Sequence, residues 1–188
     1  MVENIEKYLA EVSELVLRIP PSTVERITSL ILEAYKKGNR IFVFGNGGGS
    51  STSAHFVCDL AKGTITEGKP RLKAISLAEN MPLLTAWAND TDYTNTFGEQ
   101  LKNLVEQDDV VIGLSGSGMS PNVINAFHVA NDAGAVSILL SGFVGGNALK
   151  AASDAIVVPS TDMQQIEDVH MILTHIIFRC LKREIEES

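Results

Sequence analysis

Apolar positions recur along the chain in two kinds of pattern. Near the start, Ile5, Tyr8, Leu9, Val12, Leu15 and Val16 fall three or four residues apart, which predicts a helix stopped by Pro20-Pro21. Ser22-Thr23-Val24-Glu25 has the form of a capping box and predicts a second helix through Tyr35, ended by Gly38. Short apolar runs then follow at residues 41–44, 72–77, 110–114, 136–140 and 155–158, the length of buried strands. Helical stretches separate them, at about residues 81–87, 96–105 and 122–133, with Gly134 ending the last of these. A long helix from about Met163 to Glu186 closes the chain. Strands alternating with helices imply right-handed βαβ units, hence an α/β chain with a mainly parallel sheet of about five strands covered on both faces. The two leading helices, residues 1–38, precede the first strand and are placed to serve in oligomerisation.

One stretch stands out, Arg40 to Lys62. The run Ile41-Phe42-Val43-Phe44 leads into Gly45-Asn46-Gly47-Gly48-Gly49-Ser50-Ser51 and then into a helical segment carrying His55 and Asp59. Glycines and an Asn let the backbone turn sharply and aim its N–H groups at one point, and the following helix adds the positive end of its dipole, so the loop favours an anion. His55 and Asp59, four apart, share one helix face. The loop lacks the Lys of a P-loop, and Ser50 and Glu79 match the dinucleotide fingerprint only weakly.

A second loop of this kind follows the strand at 110–114. Ser115-Gly116-Ser117-Gly118-Met119-Ser120-Pro121 places Ser120 as a helix cap and Pro121 at the first helical position, so hydroxyls and a helix terminus converge. Without a Lys or Arg, it binds phosphate by neutral donors and the dipole alone. Between the two loops, Asn89-Asp90-Thr91-Asp92 reads as a polar turn. On the last helix, Ile166, Val169, His170, Leu173, Ile176, Ile177 and Cys180 occupy the apolar positions, and Glu167 and His175 lie eight apart on a similar face. Periodicity alone leaves His170 and His175 open between the core and a site.

Composition narrows the partners. The 188 residues suffice for one substantial core, taken as a single domain over 1–188, and 45% apolar with 20% charged residues is ordinary for a globular protein. A net charge of −8 and no basic stripe argue against nucleic acid. No apolar run reaches membrane-spanning length and the start has no basic-then-apolar segment, so a cytoplasmic protein without membrane contact is expected. Cys58 and Cys180 have no CxxC spacing and read as buried small apolar residues.

The loop Gly45-Asn46-Gly47-Gly48, His55, the serine loop 115–120 and the final helix with Glu167, His170 and His175 together resemble the sugar isomerase (SIS) domain. Within that group the chain looks most like the phosphoheptose isomerases, which convert sedoheptulose 7-phosphate to D-glycero-D-manno-heptose 7-phosphate for lipopolysaccharide and other surface polysaccharide. The resemblance covers almost the whole chain. It implies a three-layer αβα sandwich, a homotetramer with sites at subunit interfaces, and one zinc ion per subunit. By matching motif, Asn46, Gly47, Gly48, Asn89 and Asp90 contact the substrate, and Ser115, Gly116, Ser117 and Ser120 hold its phosphate. His55, Asp59, Glu167 and His175 fall on the metal positions, with Asp59 and Glu167 also at the substrate and Asp59 and His175 as catalytic base and acid.

The sequence departs from the family pattern at a few positions. Asp59 stands where Glu is usual, Glu167 where Gln is usual, Gly49 where a serine follows Gly48, and Lys62 is the nearest cation to an expected Arg. Two histidines and two carboxylates suit zinc, and the extra carboxylate also suits manganese or iron. The alternatives are an isomerase or binding module for another phosphosugar, and a non-catalytic tetrameric scaffold like the relative that associates with the replication initiator DnaA.

Overall fold

The computed structural model describes residues 1–188. Two helices, α1 (Val2–Leu17) and α2 (Pro21–Lys37), precede β1 (Arg40–Gly45). Then come α3 (Gly48–Cys58), continued by a π-helical turn over Asp59–Gly63, β2 (Lys73–Ser76) and α4 (Met81–Asp90). A 3-10 turn at Tyr93–Asn95 leads to α5 (Gly98–Lys102), β3 (Val110–Ser115), α6 (Pro121–Asp132), β4 (Val136–Ser141), α7 (Gly146–Ala151), β5 (Asp154–Val157) and α8 (Met163–Glu187). The five strands form one sheet in the order β2-β1-β3-β4-β5, every neighbouring pair parallel.

Side chains alternate across the sheet because a strand's period is two. From β1, Ile41 and Val43 join Val110, Ile112 and Leu114 of β3 on the face covered by α2, α3 and α8. Phe42 and Phe44 point the other way, onto Phe97, Leu101 and Phe127 of the α5–α6 side. Both faces are therefore dry, which is why the strands read as unbroken apolar runs. The result is the αβα arrangement that the family pattern implies. Its carboxyl strand ends, with the loops after β1 and β3, lie along one edge, where ligands of open parallel sheets bind.

Local chemistry altered several expected boundaries. α2 opens at Pro21, not at the capping box: Pro20 sits at the cap in extended backbone, the fixed φ of Pro21 suits the first turn, and no side chain caps the helix. Gly38 ends α2 in the left-handed conformation, as expected. α4 runs through Asn89 and Asp90, so these two form its last turn and not a loop, and Asn89 Nδ2 donates to Asp90 Oδ1 at 2.8 Å. Both cysteines are exposed, contrary to expectation. Cys58 ends α3 on its outer side, and Cys180 borders an open apolar groove between α2 and α8. No helix is long and apolar enough to cross a membrane.

Candidate active site

The glycine loop is built by a sharp turn. Gly47 has φ 54°, a conformation that L side chains rarely adopt, and it turns the chain from β1 into α3. The turn closes with Gly49 N–H on the Asn46 carbonyl and Ser50 N–H on the Gly47 carbonyl, at 2.9 and 3.0 Å. Asn46 itself is pinned: its Oδ1 accepts from Tyr93 Oη and Asn122 Nδ2, and its Nδ2 donates to Asn122 Oδ1, each at 2.9 Å. Asn122 is buried in the first turn of α6, so the glycine loop is tied to the helix that follows the serine loop.

The serine loop has its own clasp. Ser115 Oγ and Ser120 Oγ lie 2.9 Å apart, and Met119 N–H donates to Ser117 Oγ at 3.2 Å. Ser120 stands at the cap of α6, but its hydroxyl goes to Ser115 and not to the helix N–H groups. Pro121 has no N–H, and Val123 N–H donates to Ser120 O and to Asn122 Oδ1, both at 3.1 Å, which leaves the Asn122 N–H at the helix's positive end.

The two loops enclose a cavity of about 290 Å³, whose walls are Asn46 to Gly49 on one side and Ser115, Gly116, Ser117 and Ser120 on the other. Met163, Glu167 and His170 of α8 close it. No Lys or Arg lines it, and Glu167 and His170 are its titratable groups. Larger hollows lie elsewhere: about 500 Å³ against α1, about 640 Å³ between α2 and α8, about 330 Å³ at the start of α1, and about 510 Å³ on the outer side of α6, where Met119 of the serine loop contributes. Glu167 rests against Gly48: a Cβ there would fall 2.7 Å from Oε1. His170 is buried, and its Nε2 lies 3.2 Å from the Ser141 carbonyl, so it carries the proton and donates. Burial pushes its pKa down to about 4, against a smaller opposing effect of that hydrogen bond.

Beyond this cavity, α3 and α8 bring three further side chains together. His55 Nε2 and His175 Nε2 are 3.0 Å apart, and Asp59 Oδ2 lies 3.4 Å from the first and 3.8 Å from the second. The ligand atoms all fall within 4.8 Å of one another, which suits one metal ion held by two imidazoles and a carboxylate. Their side chains are 48%, 46% and 25% exposed for His55, His175 and Asp59, so the group opens outward. Close helix approach makes the meeting possible. A Cβ on Gly63 in the π-turn would stand 2.6 Å from the Phe178 ring, one turn beyond His175 on α8.

Of the four residues expected at the metal, His55, Asp59 and His175 meet, whereas Glu167 stands apart over the glycine loop. Asn46, Gly47, Gly48 and the serine-loop residues line one cavity. Asn89 and Asp90 are exposed at the end of α4, outside that cavity, and Tyr93 makes their segment's bond to the glycine loop. Asn122, Tyr93 and Met163 were missed in the sequence. A polar residue just after Pro121 was the one available signal for Asn122, and none marked the other two.

The SIS domain family model matches residues 7–142. The phosphoheptose isomerase of Citrifermentans bemidjiense is 36% identical over 162 residues, 86% of this chain and 84% of that protein. That of Helicobacter pylori is 34% identical over 187 residues, 97% of each. The solved phosphoheptose isomerase of Neisseria gonorrhoeae superposes with a TM-score of 0.89 at 26% identity, covering 96% of this chain and 98% of that one. The chain belongs to the SIS domain family, in its phosphoheptose isomerase group, and is a phosphosugar isomerase.

Proposed function

We propose that the protein interconverts sedoheptulose 7-phosphate and D-glycero-D-manno-heptose 7-phosphate through an enediol, with a divalent metal, zinc by preference, at His55, Asp59 and His175. The observation that carries this reading is the placing of the two features along α3. The anion cradle, which has no Lys or Arg, lies at the helix start, and His55 follows about 10 Å further along the axis at 1.5 Å per residue. That separation suits a sugar whose phosphate and reacting carbons stand at opposite ends of a seven-carbon chain.

In the ketose-to-aldose direction, Asp59 takes a proton from C1 while the C2 carbonyl oxygen receives one, giving the enediol. Asp59 meets both histidines through Oδ2, which leaves Oδ1 to face the carbon. His175 carries the proton at oxygen where its Nε2 is not taken up as a metal ligand. The protonated base then returns its proton to C2 as the O1 proton leaves, and C1 becomes the aldehyde. A bound metal supplies charge stabilisation at the oxygen that becomes anionic. The serine loop and the α6 terminus hold the distant phosphate, whose binding energy orients the reacting end.

We infer also a homotetramer with sites at subunit interfaces, one metal per subunit. Supporting it, the histidines are half exposed in the single chain, and α1 presents Val2, Ile5 and Leu9 with no cover. A second reading, another phosphosugar, draws support from Glu167, which puts a carboxylate in the cavity wall. Turnover measured across a panel of ketose and aldose phosphates of five to seven carbons tests the assignment. A kcat/KM highest for sedoheptulose 7-phosphate supports it, and preference for a shorter sugar overturns it.

A further inference from the structure

The wall of the cavity contains one residue that costs the fold more than an apolar one would. His170 is 2% exposed on α8, among Ile166, Val169 and Leu173. Burying an imidazole is unfavourable unless its polar atoms are used, and a leucine would pack there without that cost.

Its one bond leads to the serine loop. His170 Nε2–H donates to the carbonyl of Ser141, the last residue of β4, which also accepts Val158 N–H at 2.8 Å. The buried Ser141 hydroxyl donates to the carbonyl of Ser115 at 2.7 Å, across the β3–β4 register pair Ser115 and Ser141. The same Ser115 carbonyl accepts Gly118 N–H at 2.9 Å, the bond that folds the serine loop back on itself. Gly142 N–H, next along from Ser141, donates to Gly116 O at 2.9 Å. Ser115 Oγ then clasps Ser120 Oγ at the start of α6. A continuous run of hydrogen bonds thus joins α8 to both ends of the loop, and every residue that carries it from His170 to Ser115 is buried.

We propose that His170 is a positioning residue for the phosphate cradle: by holding the end of β4 from α8, it keeps the Ser141 hydroxyl on Ser115 and the serine loop in its anion-binding shape. The proposal rests on the reading of that loop as the phosphate site. His170 touches no reacting carbon in this role. Losing it weakens phosphate binding and leaves the groups of the His55, Asp59 and His175 cluster in place.

The test compares the full-length protein with His170→Leu, His170→Gln and Ser141→Ala. Leucine fills the space without a donor, glutamine keeps an N–H near the Nε2 position, and alanine breaks the next bond in the run. Amide hydrogen exchange is read at residues 116–119, with residues 47–50 as the internal reference. Inorganic phosphate affinity, and KM and kcat for sedoheptulose 7-phosphate, are measured alongside metal content. His170→Leu and Ser141→Ala are expected to speed exchange selectively at 116–119 and to weaken phosphate roughly tenfold, as the loss of one buried hydrogen bond does. KM should rise by a similar factor, with kcat and metal content little changed, and His170→Gln should recover most of the loss.

Wild-type exchange and phosphate affinity in His170→Leu would overturn the positioning role, as would a glutamine variant as impaired as the leucine one. If the leucine variant does not fold, Ser141→Ala decides: unchanged exchange at 116–119 overturns the proposal. Failure of the wild-type protein to bind inorganic phosphate or the sugar phosphate at all would instead overturn the serine-loop reading on which the proposal stands.

Discussion

His55 of α3 and His175 of α8 are 120 residues apart in sequence, and their Nε2 atoms lie 3.0 Å apart. Two nitrogens so close share one proton in a hydrogen bond or turn both lone pairs to a metal. Asp59, one helical turn beyond His55, meets both through one oxygen. The cluster therefore has the groups for either role, a ligand set for a metal or a proton-transfer set.

Asp59→Asn keeps the shape and removes the base. In the proposed reaction kcat should fall by about 10²–10⁴-fold with KM changed far less, the range for a lost general base. Steady-state kinetics on sedoheptulose 7-phosphate check this. A variant with near-native kcat would remove Asp59 from the proton transfer.

Glu167 occupies the space where a Cβ on Gly48 would stand. Gly48→Ala should drive the flexible carboxylate out of the cavity wall and lower kcat/KM on the order of tenfold to a hundredfold, as small misplacements in a site do. Because the harm comes through Glu167, the same change in a Glu167→Ala background should cost less. Equal losses in both backgrounds would place the effect in the backbone of the loop.

Gly63 lets α8 come close at Phe178. Gly63→Ala should push the ring aside, costing about 1–3 kcal/mol of stability as overpacking does, and should widen the gap between His175 and α3. Urea unfolding reads the first effect. Titration of the apo-protein with zinc reads the second, expected as weaker binding with the stoichiometry unchanged.

His170 links stability to pH. Its pKa is about 4 in the folded chain against 6.5 as the ordinary value, so between these the unfolded chain binds the extra proton. Stability should then fall as pH drops through this window, by about 2 kcal/mol between pH 7 and pH 5 from this one group. Its contribution should be flat above pH 7. Unfolding measured at both values should show the drop in the wild type and a smaller one in His170→Leu.

Much of the fold was legible because its signals are local. The runs at 41–44, 110–114 and 136–140 are strands buried on both faces, Gly38 and Gly134 stop helices by backbone conformation, and the spacing of His55 and Asp59 fixes their shared face. What escaped depends on distant contacts. Pro21 competed with the capping box for the start of α2 and won through its fixed φ. Ser120 turned its hydroxyl to Ser115, and Asn46 found Asn122, 76 residues on, through side-chain amides that carry no period. The burial of His170 and the exposure of Ile176 and Cys180 on one helix were set by how α8 lies against α2 and the sheet, which a helical pattern alone does not contain.

The most direct test is metal content by mass spectrometry together with turnover of sedoheptulose 7-phosphate, on the purified wild-type protein and His175→Ala. About one metal ion per chain and measurable turnover are expected in the wild type, with both lost in the variant while its folding is retained. A variant that keeps full turnover, or a wild type that turns over the sugar equally after complete removal of metal by a chelator, would contradict the proposed role of the His55, Asp59 and His175 cluster.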